Sequence, residues 1–254
     1  MTTTLIVFAH PDKRSFNGAW AESTERAAIA HGGDVLWSDL CAMDFDAVEA
    51  PRHYPGWQDQ GHFDPLKVQE EAADANRLPG DVQSEIDKIV RADRVVFHFP
   101  LWWFAPPAIL KGWFDRVFVH GALHSVDRRF DSGLCKPKKA LLCVTTGATQ
   151  AESAFNGKEG DIEMLLWPTA YTLHYLGFSV LKPETVHGVH GYYEGDEQTA
   201  LQTRLTKVLE NQNDLIQAFD ARPQIGFNDD TDFDQNGRLR PDRQSHSHFI
   251  RHDK

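Results

Sequence analysis

The stretch from Val95 to His120, VVFHFPLWWFAPPAILKGWFDRVFVH, constrains the fold more than any other. Val95, Val96, Phe97 and Phe99 form an apolar run too short for an ordinary helix, the pattern of a strand buried on both faces of a parallel sheet. Pro100 ends that strand. Leu101, Trp102, Trp103, Phe104 and Ala105 cannot all be buried inside a tight loop, so an aromatic wall is left at the strand's carboxyl end. Pro106 and Pro107 suit a first helical turn, and Ile109, Leu110, Trp113, Phe114 and Val117 recur at helical spacing. Trp113 and Phe114, inside the helix, read as core. Trp102, Trp103 and Phe104 read as a ligand surface, because open α/β sheets bind ligands beyond the carboxyl ends of their strands.

A chain of 254 residues, 41% hydrophobic, can bury the core of one large α/β domain. Its formal net charge of −11 opposes binding to nucleic acid or to an anionic membrane surface. Cys41, Cys135 and Cys143 are odd in number and widely spaced, which argues against a disulfide framework or a thiolate metal site. The first residues, MTTTLIVFAH, lack the basic segment of a signal peptide and no long apolar stretch follows, so a cytoplasmic protein without membrane insertion is expected.

Along the chain, Thr4 to Ala9 reads as a central strand and His10 to Asn17 as a polar loop before a helix that Ser15 caps. Unpaired amides at such a helix start favour a phosphate, with Lys13 or Arg14 available to add charge. Asp34 to Leu40 is a second strand, Ala140 to Thr145 a fourth and Phe178 to Val186 a fifth. Asp81 is expected to cap the helix before Val95, and Gly160 to Tyr175 and Gln198 to Phe219 are helical. Residues 41–79 are irregular, and Gln69 within them is expected on a solvated helix face. The Thr145-Thr146-Gly147-Ala148 loop brings backbone amides near a ligand without obstruction. From Arg222 the composition turns polar and aromatic. There, Asp232 to Gly237 matches half a calcium loop but has Arg243 at the twelfth position, so it reads as a turn, and the tail histidines read as a solvated tail or an interface strap. No metal site is expected.

Three motifs together, AHPDKRSFN, FPLWWFAPPAILKGWFDRVF and TTG, resemble the NAD(P)H:quinone oxidoreductase family of flavodoxin-like flavoproteins over roughly residues 4–220. The resemblance implies a flavodoxin-like, doubly wound, five-stranded parallel sheet with helices on both faces, spanning residues 1–220, followed by a polar tail over 221–254. It implies FAD in preference to FMN as cofactor, NAD(P)H as cosubstrate, and a homodimer in which the 41–79 segment wraps the partner. His10, Phe16 and Asn17 would meet the FAD phosphates and ribitol. Pro100, Leu101, Trp102, Trp103 and Phe104 would line one side of the ring, and Thr145, Thr146, Gly147 and Ala148 its pyrimidine side.

The implied reaction passes hydride from NAD(P)H by way of the flavin to a quinone or related electrophilic acceptor in ping-pong order, with Trp103, Phe104 and His124 as the catalytic residues. Arg128 and Arg129 are candidates to meet a 2′-phosphate. The loop amides of 146–149 are expected to stabilise negative charge on the ring. Where the best-known relatives place a Tyr and a His, this chain has Ser153 and Glu159, and His124 and Val126 stand where those relatives have tyrosines. Either that loop is rearranged or another donor, His124, substitutes, and His124 reads equally as an ordinary loop histidine facing solvent. The rival function is a flavin-binding ancillary subunit of a potassium-efflux transporter. An electron-carrier flavodoxin is disfavoured, because the phosphate loop is not Ser/Thr-rich.

Overall fold

The computed structural model describes residues 1–57 and 61–252; residues 58–60 of the 41–79 segment and 253–254 of the tail lie outside the described residues. Four strands, β1 (Thr3–Phe8), β2 (Asp34–Asp39), β3 (Arg94–Pro100) and β4 (Lys139–Thr145), pair in parallel in the order β2-β1-β3-β4. The expected fifth strand is split into β5 (Ser179–Val180) and β6 (Glu184–Val186), both paired with β4. Pro183 lies in the interruption and has no N–H for the ladder, while Lys182 N–H turns away to the Pro223 carbonyl (2.8 Å).

Alternation along β3 assigns its faces. Val95, Phe97 and Phe99 join a core with the helices α3 (Gly80–Arg91), α4 (Ala108–Val117) and α5 (Ile162–Tyr175). Val96 points the other way, toward α1 (Phe16–Ala30) and α6 (Gly195–Gln217), where Trp20 and Ile216 pack. Both faces of the sheet are therefore covered, as its unbroken apolar strands require. Trp113 and Phe114 are buried, as their position inside α4 implied.

Two local expectations are corrected. Pro79, not Asp81, precedes α3, and the Asp81 carboxylate instead meets the fully buried Arg116 guanidinium at 2.7 Å. Gln69, on α2 (Pro65–Asp74), is buried and not solvated: its Nε2 donates to Glu49 (2.8 Å) and to the Asp115 carbonyl (3.1 Å). In both cases a partner distant in sequence decides the outcome: Gln69 is drawn inward, and Asp81, still exposed, pairs with the buried Arg116.

The C-terminal segment packs on the body. Leu181 and Gln224 form an antiparallel bridge beside β5, so this segment covers the short edge strand. Phe227 stacks on His174 (4.2 Å between ring centroids) and Phe249 on Trp167 (5.7 Å). Asp232 to Gly237 forms a turn, Asp234 Oδ1 accepting from the N–H groups of Asn236 and Arg238.

His98, opposite Val95 and Phe97 on β3, lies fully buried beside Trp20 with its Nε2 2.9 Å from Thr24 Oγ1. Burial pushes its imidazole down from 6.5 to about 3. The folded state thus binds fewer protons than the unfolded chain, so stability is lost as pH falls through the window from 6.5 toward 3. Between pH 7 and pH 4 this group accounts for a loss of about 3 kcal/mol. Denaturant titrations at the two pH values should show a correspondingly smaller loss for His98→Gln.

Candidate flavin site

The site forms where the carboxyl ends of β1, β3 and β4 meet. Pro100 is in register with Thr145, and the Leu101 N–H donates to the Thr145 carbonyl at 2.7 Å, which ties the two loops together just past their strands. Beyond β1 the His10 ring is fixed by its Nδ1, 3.0 Å from the Asp12 backbone, and stands 5.9 Å from the Trp102 ring. These loops leave β1 and β3 toward helices on opposite faces, the divergence that opens a crevice in a doubly wound sheet.

The aromatic loop is a reversed turn. Trp102 and Ala105 exchange both backbone hydrogen bonds (2.9 and 3.1 Å), and the two residues between them, Trp103 (φ 50°) and Phe104 (φ 63°), are left-handed. Bulky residues in that region cost of order 1 kcal/mol each, strain that characterises ligand sites. Its product is exposure: Trp103 is 94% and Phe104 53% accessible.

At the start of α1, Ser15 Oγ accepts from the Gly18 N–H (3.2 Å), the expected cap. Gly18 is obligatory, since a Cβ there would sit 1.9 Å from the Lys13 carbonyl oxygen. Asn17 is buried, its Nδ2 donating to Thr145 Oγ1 (2.8 Å) while its Oδ1 has no partner. The basic neighbours are already engaged. Arg14 pairs with Asp12 at 2.9 Å, holding that carboxyl down at about 2, and Lys13 lies over the Trp37 ring.

The loop after β4 is held from behind, Thr146 N–H donating to Val186 (3.0 Å) and Gly188 N–H to Ala148 (2.9 Å). Most of its own amides are consumed, which narrows the expectation that the 146–149 amides stabilise charge on a ligand: Thr146 by Val186, Ala148 by Thr146 Oγ1 (3.2 Å), Thr149 by Glu152 (3.0 Å). Gly147 stays open, with nothing within 4 Å of where its Cβ would stand.

Between the aromatic turn and this loop is a cavity of about 380 Å³ walled by Trp103, Phe104, Gly147, Glu152, Ser153 and Glu159. Glu152 was not foreseen, yet its signal was present. Thr149 and Glu152 form a reciprocal capping pair, Thr149 Oγ1 accepting from the Glu152 N–H (3.2 Å) and Glu152 accepting from the Thr149 N–H. That N–H first, then Lys158, hold the Glu152 carboxyl down at about 2.

His124 lies elsewhere in this chain. It is 9% exposed and lines a separate cavity of about 480 Å³ with Gln69, Phe118 and Tyr175. Its Nε2 donates to the Phe118 carbonyl (3.0 Å), and burial, above all, pushes its imidazole below the ordinary value.

A family model for the flavodoxin-like fold matches residues 2–211. The guinea pig (Cavia porcellus) NAD(P)H dehydrogenase [quinone] 1 is 38% identical over 82% of this chain and 76% of its own length. Human ribosyldihydronicotinamide dehydrogenase [quinone] is 39% identical over 71% and 79%. The chain belongs to the NAD(P)H:quinone oxidoreductase family of flavodoxin-like proteins. A Klebsiella pneumoniae protein assigned as a quinone reductase superposes with a TM-score of 0.83, at 30% identity and covering 95% of each chain.

The residues present fit the flavin of this family. A flat ring finds an exposed aromatic ridge facing an unobstructed glycine, a phosphate finds the open start of α1, and the unpartnered Asn17 carbonyl would accept from a ribitol hydroxyl. Two substitutions separate these parts. Trp103→Gly relieves a left-handed residue and should raise stability by about 1 kcal/mol in denaturant titration while flavin affinity falls. Gly18→Ala displaces the phosphate loop and should weaken flavin binding at least about tenfold, as fluorescence titration would show.

Proposed function

We propose that this chain is an NAD(P)H:quinone oxidoreductase that works through a noncovalent FAD held between the 101–104 and 145–148 loops. The observation that carries the reading is the exposed Trp103–Phe104 ridge opposite Gly147, in a chain belonging to a family of quinone dehydrogenases. When bound, the flavin supplies hydride chemistry between a reduced nicotinamide and a two-electron acceptor.

The protein's own residues position and exclude. With the ring held at the Trp103–Phe104 ridge, one exposed ring face would serve donor and acceptor in turn, in ping-pong order. Gly147 and its neighbours admit the pyrimidine edge at close range, and His10, Phe16 and Asn17 receive the phosphates and ribitol. FAD is preferred to FMN because those three residues match the family's FAD contacts.

The homodimer belongs to the same proposal: Trp103 and His124 line different cavities of one chain, and a second copy would bring His124 to an acceptor bound at Trp103. The ancillary-subunit reading draws no support from the relatives described above, which are named as dehydrogenases. Among the described residues no helix is long and apolar enough to cross a membrane. A cytoplasmic setting is in keeping with three free thiols, of which burial pushes Cys135 up to about 12 and Cys143 well above its ordinary value.

Anaerobic addition of NADH or NADPH to the FAD-loaded protein should bleach the flavin band, and a quinone should restore it, with parallel double-reciprocal plots at varied donor. Heat-released cofactor should chromatograph as FAD. A protein that retains no flavin, or whose flavin neither nucleotide bleaches, would sink the proposal.

A further inference from the structure

The C-terminal segment encloses a cavity that the flavin reading does not use. At about 600 Å³ it is larger than the flavin cavity or the one at His124, lies within the range of small-molecule sites, and is more space than a close-packed interior leaves. Three elements wall it. α5 presents Glu163, Leu166 and Trp167, one helix face at i, i+3 and i+4 spacing. The Pro183 interruption contributes Glu184 and His187, and the tail closes the third side with Ile225 and His246. The tail is held in place there. Ile225 N–H donates to the Val180 carbonyl (2.8 Å), and the buried Asn228 side chain donates to the Gln244 carbonyl (2.7 Å) and accepts from the His246 N–H (3.2 Å). The sheet edge is thus covered by an irregular segment instead of a helix, and side chains do not fill the space between.

The polar groups of the wall differ in what already engages them. Glu184 is paired with Arg222, and Asp161 commits one oxygen to the Glu163 N–H (3.0 Å). The exposed Glu163 carboxylate has neither an ion pair nor a hydrogen bond among the described residues. Lys182, also exposed, is the one Lys or Arg on the wall, against three carboxylates. His187 Nδ1 is buried without a partner, and burial, above all, pushes its imidazole below the ordinary value, so the ring is neutral. We propose that this cavity binds a small organic ammonium, a protonated amine on an aromatic body. The ammonium meets the Glu163 and Asp161 carboxylates, and one of its N–H groups selects the His187 tautomer whose Nδ1 is the acceptor. The aromatic body lies against Leu166, Trp167 and Ile225, where its burial adds to the affinity. A carboxylate on the same body would instead face an unpaired Glu163. The site stands independently of the flavin reading, although Ile162 borders both cavities.

The test is calorimetric titration of the purified full chain with phenethylammonium chloride and with sodium 3-phenylpropionate, which share a phenyl ring on a two-carbon arm and differ in charge. Wild type should bind the ammonium at least about tenfold more tightly than the carboxylate. Glu163→Gln should weaken the ammonium by roughly three- to tenfold, and Glu163→Lys should remove or reverse the preference. Thr185→Trp, which places an indole in the cavity, should abolish binding of the ammonium. Equal binding of the two ions, binding of neither, or variants at both positions that bind as wild type does would overturn the proposal. Because Glu163 is exposed, its variants decide the matter even if Thr185→Trp does not fold.

Discussion

The site depends on one backbone constraint, the continuation of sheet pairing one residue past β3. The Leu101 N–H to Thr145 carbonyl bond fixes the aromatic turn relative to the Thr146–Ala148 loop, and the Ala9 N–H to His98 carbonyl bond (3.0 Å) does the same for the phosphate side. Three loops that are far apart in sequence thereby acquire one geometry. Because helices cover both faces of the sheet, its carboxyl edge is where backbone groups and aromatic faces are left for a ligand. The left-handed pair Trp103 and Phe104 is tolerable for the same reason: its flanks are pinned by the Trp102–Ala105 bridge and by Leu101.

Charge around this frame is arranged unlike the pattern the resemblance implies. Ser153 and Glu159 stand on the cavity wall, most of the loop amides are satisfied internally, and Lys158 serves Glu152. The cavity wall is therefore acidic where a reduced ring would gain negative charge.

Away from the site, several polar groups drawn into the fold have partners. Gln69, Arg116 and the Trp20–Gln212–Thr24–His98 chain each satisfy at least one bond across long sequence separations. The C-terminal segment adds its bridge to β5 and its aromatic stacks on α5, burying surface that a short edge strand would otherwise present. That docking is carried by isolated aromatic residues, Phe227 and Phe249, the aromatic part of the composition after Arg222.

The sequence by itself determined the parallel sheet, the two-faced burial of β3, the aromatic wall, the capped start of α1 and the glycine in the 145–148 loop. Each of these is written in local period, in Pro and Gly positions, or in a motif of neighbouring residues. Only the tertiary structure decided the split of the fifth strand, the inward turn of Gln69 and Asp81's pairing with Arg116. It also decided which loop amides remain free, and the separation of His124 from Trp103 within one chain. The physical reason is common to them: each outcome is a competition between partners brought together by the fold, and a residue's type says what it can bond to without saying which partner will be within reach.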